Sequence, residues 1–141
     1  TEHIKNNINK VFSIPITKPV KYKEKEYDIH PYIMGALIGD GCLSINKKIL
    51  FSSNDAFIIN KIQSLLKKEY KIKKIKNKKY DYRIVNTLKC DDTDGNKKNE
   101  NIYLNYFRKF DKKITSINKF IPEEYLFGSI EQRINLLKGL I

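Results

Sequence analysis

The sequence predicts an α+β protein whose helices pack on an antiparallel sheet. Apolar residues recur at helical spacing in several segments, which is typical of amphipathic helices. Two other segments alternate apolar and polar residues around short polar turns, which is typical of β-hairpins. The 141 residues, 40% of them hydrophobic, supply enough apolar side chains for one core. The predicted order is helix, hairpin, helix, hairpin, helix, with a further helix at the end.

The chain divides into an arm and a folded module. Residues 1–29 are polar, rich in lysine and interrupted by Pro15 and Pro19, so we expect a basic, extended lead-in arm. Residues 30–141 hold the predicted helices and hairpins. The chain begins at Thr1 without an initiator methionine, which suggests a piece of a longer protein.

The first predicted helix ends in a lone carboxylate. Pro31 suits its first position and Gly41 suits a left-handed residue after its last turn. Asp40 lies at the C-terminus, where a negative charge opposes the helix dipole by roughly 0.3–1 kcal/mol. Gly35 and Gly39 share one face, where missing side chains let a second backbone approach. We therefore expect a helix-helix seam with Asp40 at its end, where a partner acid would complete a metal site. The alternative is a buried helix contact with a solvated aspartate.

Two hairpins and a second helix follow. Residues 43–51 alternate around a polar turn at 46–48, which predicts the first hairpin. Residues 56–70 carry an apolar stripe behind Asp55, which predicts a helix. Residues 72–88 predict the second hairpin, with Tyr80, Tyr82 and Ile84 on one face and Asp81, Arg83 and Val85 on the other.

The last third of the chain contains two more predicted helices. Residues 103–110 fit a short amphipathic helix with core aromatics, although 102–105 fit a strand equally well. Ser129 and Gln132 have the spacing of a capping box, and apolar residues then recur at helical spacing up to Ile141.

Residues 33–41 resemble the LAGLIDADG motif of homing endonucleases, in the form common inside inteins. The match is specific at four positions: Gly35, Gly39, Asp40 and Gly41. Ile38 replaces the first acid of the motif. Residues 14–32 resemble the lead-in to this motif in inteins, and residues 119–126 with 133–141 resemble the approach to a second copy.

The resemblance implies an αββαββα half-domain with helices on one face of a curved sheet that covers double-stranded DNA. It implies hydrolysis of phosphodiester bonds with Mg²⁺ as cofactor, held by Asp40 and by an acid of a second motif. That acid would follow Ile141, so the second half is expected in cis or from a homodimer, and the isolated fragment is expected to be inactive. Lys119 maps onto the family's catalytic lysine; the alternative is an ordinary exposed lysine.

Composition agrees with a DNA partner. The net charge is +12 and the pI is about 9.6, an excess typical of polyanion binding. A coding bias toward lysine and asparagine would produce the same excess. Basic residues on the two hairpins are the predicted DNA contacts: Lys47, Lys48, Lys73, Lys74, Lys76, Lys78, Lys79, Arg83 and Lys89. A merely solvated strand face is the alternative.

Other classes are disfavoured or left open. Cys42 and Cys90 have neither zinc nor disulfide-framework spacing, and no stretch approaches 18 apolar residues. We expect an intracellular protein, cytoplasmic or nuclear, that neither enters a membrane nor is secreted. A non-catalytic DNA-binding regulator and an RNA-splicing maturase on the same fold remain alternatives; Asp40 argues against the former.

Overall fold

The computed structural model describes residues 14–43, 49–88, 101–110 and 114–141, and it confirms the α+β class. The elements in chain order are α1 (Pro31–Gly39), β1 (Gly41–Cys42), β2 (Ile49–Ser52), α2 (Ala56–Leu65), β3 (Tyr70–Lys74), β4 (Asp81–Asn86), α3 (Ile102–Arg108), α4 (Glu123–Leu126) and α5 (Ile130–Leu140). The strands form one antiparallel sheet in the order β1-β2-β4-β3. None of the helices in these ranges is long and apolar enough to cross a membrane.

The sheet has an inner face that contributes to the core and an outer face that does not. Ile49, Phe51 and Ile84 are buried, and the ring of Phe51 stacks on Tyr82 at 5.6 Å. Because side chains alternate along a strand, the neighbours of these residues lie on the outer face. The side chain of Ser52 donates a 2.6 Å hydrogen bond to Asp81 there.

The first helix begins as predicted but ends differently. Its N-cap is His30, whose Nδ1 accepts a hydrogen bond from the backbone of Tyr32 at 3.1 Å. The prediction of a left-handed Gly41 is wrong, because Gly41 opens β1 and no described glycine has a positive φ. Position 41 requires glycine because a side chain does not fit. A Cβ on Gly41 would lie 2.3 Å from the carbonyl oxygen of Leu37.

The second helix is shorter than predicted. It ends at Leu65, and Leu66 is extended with φ −66° and ψ 148°. Tyr70, predicted as its last residue, opens β3 and pairs with Asn86. The ring of Tyr70 is buried edge-on against Tyr103 at 5.1 Å. Burial against a distant helix therefore outweighs local helical spacing at this position.

The third helix settles the alternative left open by the sequence. Asn101 caps it by accepting from the backbone N–H of Tyr103 at 3.0 Å, so residues 102–105 are helical and not a strand. Tyr103, Tyr106 and Phe107 are buried, which confirms that these aromatics belong to the core.

The lead-in arm lacks regular secondary structure over residues 14–27 but is fastened to α5; residues 1–13 lie outside the described ranges. Gln132 accepts from the backbone N–H of Lys25 at 3.2 Å and donates to its carbonyl at 2.6 Å. Arg133 donates to the carbonyl of Val20 and lies over the ring of Tyr22 at 5.2 Å. The described part of the arm is therefore held in place against α5.

Candidate nucleic-acid interface and carboxylate site

The glycine face of α1 packs directly on the backbone of α5. A Cβ on Gly35 would lie 2.1 Å from the carbonyl oxygen of Leu136, and one on Gly39 would lie 2.9 Å from that of Leu140. Later residues of α1 contact later residues of α5, so the two helices run in the same direction. The C-terminal end of α1, and with it Asp40, therefore lies at the C-terminal end of α5.

The α1–α5 contact has local two-fold symmetry. A Cβ on Gly35 would meet the oxygen of Leu136 and, at 2.9 Å, the nitrogen of Leu140. A Cβ on Gly139 would meet the oxygen of Tyr32 at 2.0 Å and the nitrogen of Ala36 at 2.9 Å. Gly35 and Gly139 are thus equivalent, each contacting residues three before and one after the other glycine. The sequence pattern indicates the roles of Gly35 and Gly39 but not the reciprocal role of Gly139.

Asp40 and Lys119 come together at the end of this seam. Asp40 is exposed at the C-cap of α1, and Lys119 Nζ donates to the carbonyl oxygen of Gly39 at 3.2 Å. Lys119 is partly buried, and burial lowers its pKa, while the nearby charges of Asp40 and Cys42 oppose that shift. Lys119 is therefore not an ordinary solvated lysine, because it neutralises the unpaired carbonyl end of α1 beside the carboxylate.

The donor set for a metal contains one carboxylate. Among the described residues, no three His, Cys, Asp or Glu side chains converge into a metal-binding group. An exposed aspartate nevertheless suits Mg²⁺, which binds through one or two carboxylates together with substrate phosphates and waters. Asp40 fits the role of a single protein ligand, with the remaining positions filled from outside these residues.

The outer face of the sheet begins two residues after Asp40. Cys42 pairs with Leu50, Leu50 with Arg83, and Arg83 with Lys73, so these four residues form one row across β1, β2, β4 and β3. The row crosses three strand spacings, which is about 14 Å. We call it the outer row. Its width is comparable to the major groove of DNA, which is about 12 Å wide.

The other predicted DNA-binding residues are distributed around this face. Lys74 pairs with Tyr82 and so lies on the opposite side of β3 from Lys73, although it is exposed at the edge of the sheet. Three exposed lysines occupy the turn between β3 and β4: Lys76, Lys78 and Lys79. Asn77 has a φ of 62° in that turn, which asparagine tolerates better than most residues. Lys47, Lys48 and Lys89 lie outside the described residues.

Comparison with known proteins identifies no relative of the chain. No protein-family model, curated protein or solved structure matches the chain.

Proposed function

We propose that the chain is a module of a site-specific, Mg²⁺-dependent DNA endonuclease of the LAGLIDADG homing type. The observation that carries the proposal is the glycine seam that ends in Asp40, beside Lys119 and next to the outer row of the sheet. The resemblance of residues 33–41 to the motif supports the same function, as does the net charge of +12.

The outer face binds the duplex and the end of the seam acts on its backbone. Lysines of β3 and its turn neutralise phosphates and set the register of the protein. Since α1 leads directly into β1, a duplex on the outer row brings a phosphate toward Asp40. The seam is rigid because backbone packs on backbone, so the carboxylate is held in a fixed place relative to the sheet.

Asp40 would hold the metal, and Lys119 would stabilise negative charge at the phosphate. Bound Mg²⁺ supplies Lewis-acid polarisation of phosphoryl oxygens and lowers the pKa of a bound water. Lys119 is anchored on the carbonyl of Gly39, so its charge lies beside Asp40 without a flexible approach. Its lowered pKa also places it nearer to proton exchange than a solvated lysine.

Efficient cleavage requires a second carboxylate in addition to Asp40. The two-fold contact of Gly35 and Gly139 pairs each residue of α1 with an equivalent on α5, and no carboxylate in the described part of α5 takes the place equivalent to Asp40. We therefore propose Asp40 as one acid of the pair that the resemblance implies.

The test is metal binding in the presence of DNA. We expect the chain bound to duplexes selected from a randomised pool to take up Mn²⁺, a spectroscopic substitute for Mg²⁺, and Asp40→Asn to weaken that uptake about tenfold or more. Asp40→Asn removes the charge without changing shape, and relieves an unfavourable dipole interaction, so its stability should be unchanged or slightly higher.

Asp55→Asn is the matched control, because it makes the same change at an exposed N-cap where asparagine is equally effective. Equal Mn²⁺ uptake by wild type and Asp40→Asn would overturn the metal role and leave a non-catalytic DNA-binding regulator. Preference for structured RNA over duplex DNA would instead support the maturase alternative.

A further inference from the structure

Arg83 occupies the middle of the outer row. It lies on β4, an interior strand, with Leu50 opposite it on β2 and Lys73 opposite it on β3. Arg83 and Leu50 are half-buried, whereas Lys73 is exposed. The stem of Arg83 is therefore restricted by its neighbours, while the edge lysine remains free to move. A restricted side chain at the centre of the sheet is positioned to contact base edges at the bottom of a DNA groove, and not the phosphates along its sides.

The guanidinium of Arg83 lacks a full set of partners. Its Nε is buried, and no group in the described parts of the chain accepts a hydrogen bond from it. A buried donor without an acceptor costs roughly 1–3 kcal/mol, and no internal hydrogen bond among the described residues fixes the guanidinium at Nε. Because Nε itself is covered, a ligand on the outer face would contact the two terminal nitrogens. The acid on the same face, Asp81, already accepts from Ser52 at 2.6 Å.

Arginine is rare in this chain, which makes its use at this position informative. Only three of the 28 basic residues are arginine: Arg83, Arg108 and Arg133. Arg133 has a structural role, since its Nε donates to the carbonyl of Gly128 at 3.1 Å and its guanidinium binds the arm. A bias toward lysine would supply lysine for simple charge. The planar fork of arginine offers what lysine cannot where two parallel hydrogen bonds are needed.

We propose that Arg83 is a specificity-determining residue that reads one guanine in the major groove, donating to its O6 and N7. This inference rests on the proposed DNA-binding function and adds the residue and the base. Guanine presents two adjacent acceptors in the major groove, and arginine is their common bidentate partner. The lysines at the edge and in the turn contact phosphates, which position the protein without reading sequence.

The experiment compares base preference and overall affinity. Wild type, Arg83→Lys and Lys73→Gln are each used to select duplexes from a randomised pool, and binding to the selected duplex and its single-base variants is measured. Wild type should prefer guanine at one position by about 5- to 150-fold, the discrimination of one bidentate pair. Arg83→Lys keeps the charge and should lose most of that preference. Lys73→Gln should weaken binding to all sequences alike.

A change in the DNA provides a second test that does not depend on the folding of a variant. Replacing the preferred guanine by 7-deazaguanine removes only the N7 acceptor, so wild-type affinity should fall several-fold while that of Arg83→Lys stays nearly constant.

Two results would overturn the inference. If Arg83→Lys selects the same guanine with the same preference, Arg83 does not read it, although the DNA-binding function stands. If wild type binds all duplexes with the same low affinity, both the function and the inference fail.

Discussion

Replacing Gly35 with alanine should destabilise the fold by separating α1 from α5. The new Cβ would lie 2.1 Å from the carbonyl oxygen of Leu136, whereas ordinary contact begins at 3.4 Å, so the backbones must move apart by the difference, 1.3 Å. Overpacking of this kind costs about 1–3 kcal/mol, and the obstacle here is rigid backbone. Alanine returns about 0.5–1 kcal/mol of helix propensity. Because rigid backbone cannot yield, we take the upper end of the overpacking cost, about 3 kcal/mol, which leaves a net loss of about 2 kcal/mol.

Urea unfolding and thermal unfolding measure this loss. For a domain of this size the loss corresponds to a fall in Tm of about 8 °C. Asn60→Ala is the control, because it raises helix propensity at an exposed position of α2 away from the seam, and its Tm should not fall. Gly139→Ala should cost as much as Gly35→Ala by symmetry. The double variant should cost less than the sum, because one separation relieves both clashes. An unchanged or higher urea midpoint for Gly35→Ala would refute the close seam.

Two further predictions concern salt and acid. DNA affinity should fall about 10³-fold between 50 and 200 mM salt if about six phosphates are neutralised, and a nearly flat log-log plot of binding against salt would contradict the electrostatic interface. Burial, with a smaller contribution from the charge of Lys61, lowers the pKa of His30 below 6.5, so the fold favours the neutral ring. Its contribution to stability is therefore complete above pH 6.5 and falls on acidification, as the unfolded chain takes up the proton first. His30→Asn keeps an N-cap acceptor and should lose less stability than wild type between pH 7 and 5 in urea titrations; equal losses would contradict the role of His30.

Features encoded by neighbouring residues were predictable from the sequence. The capping box at Ser129 and Gln132 forms as predicted, because both partners lie within one turn. The order helix, hairpin, helix, hairpin, helix also follows from local periodicity. Two details differ: the first hairpin begins with β1 at Gly41–Cys42 and not at residue 43, and the sequence pattern does not predict the short helix α4. The capping-box residues do not indicate that they also hold the arm. Gln132 binds Lys25, which lies more than a hundred positions away in the sequence.

Features set by distant contacts were not predictable in the same way. The sequence predicts Gly41 as a helix stop, whereas its lack of a side chain serves the close approach of Leu37. Tyr70 matched the helical stripe of α2, yet its ring is buried against Tyr103. Arg83 was one of nine basic residues on the hairpins, and only strand register and an unpaired Nε separate it from the rest.

The seam also bears on where a second acid can come from. The glycine face of α1 is already covered by α5, with backbone atoms closer than any side chain would allow. A homodimer that pairs two copies of α1 across this face must first expel α5, and the arm fastened to Gln132 and Arg133 would lose its anchor. An arrangement that keeps α1 and α5 in contact needs no such displacement, since the C-terminal ends of both helices already lie together. We therefore propose that an acid paired with Asp40 is presented by the α5 side of the seam and not by a second α1.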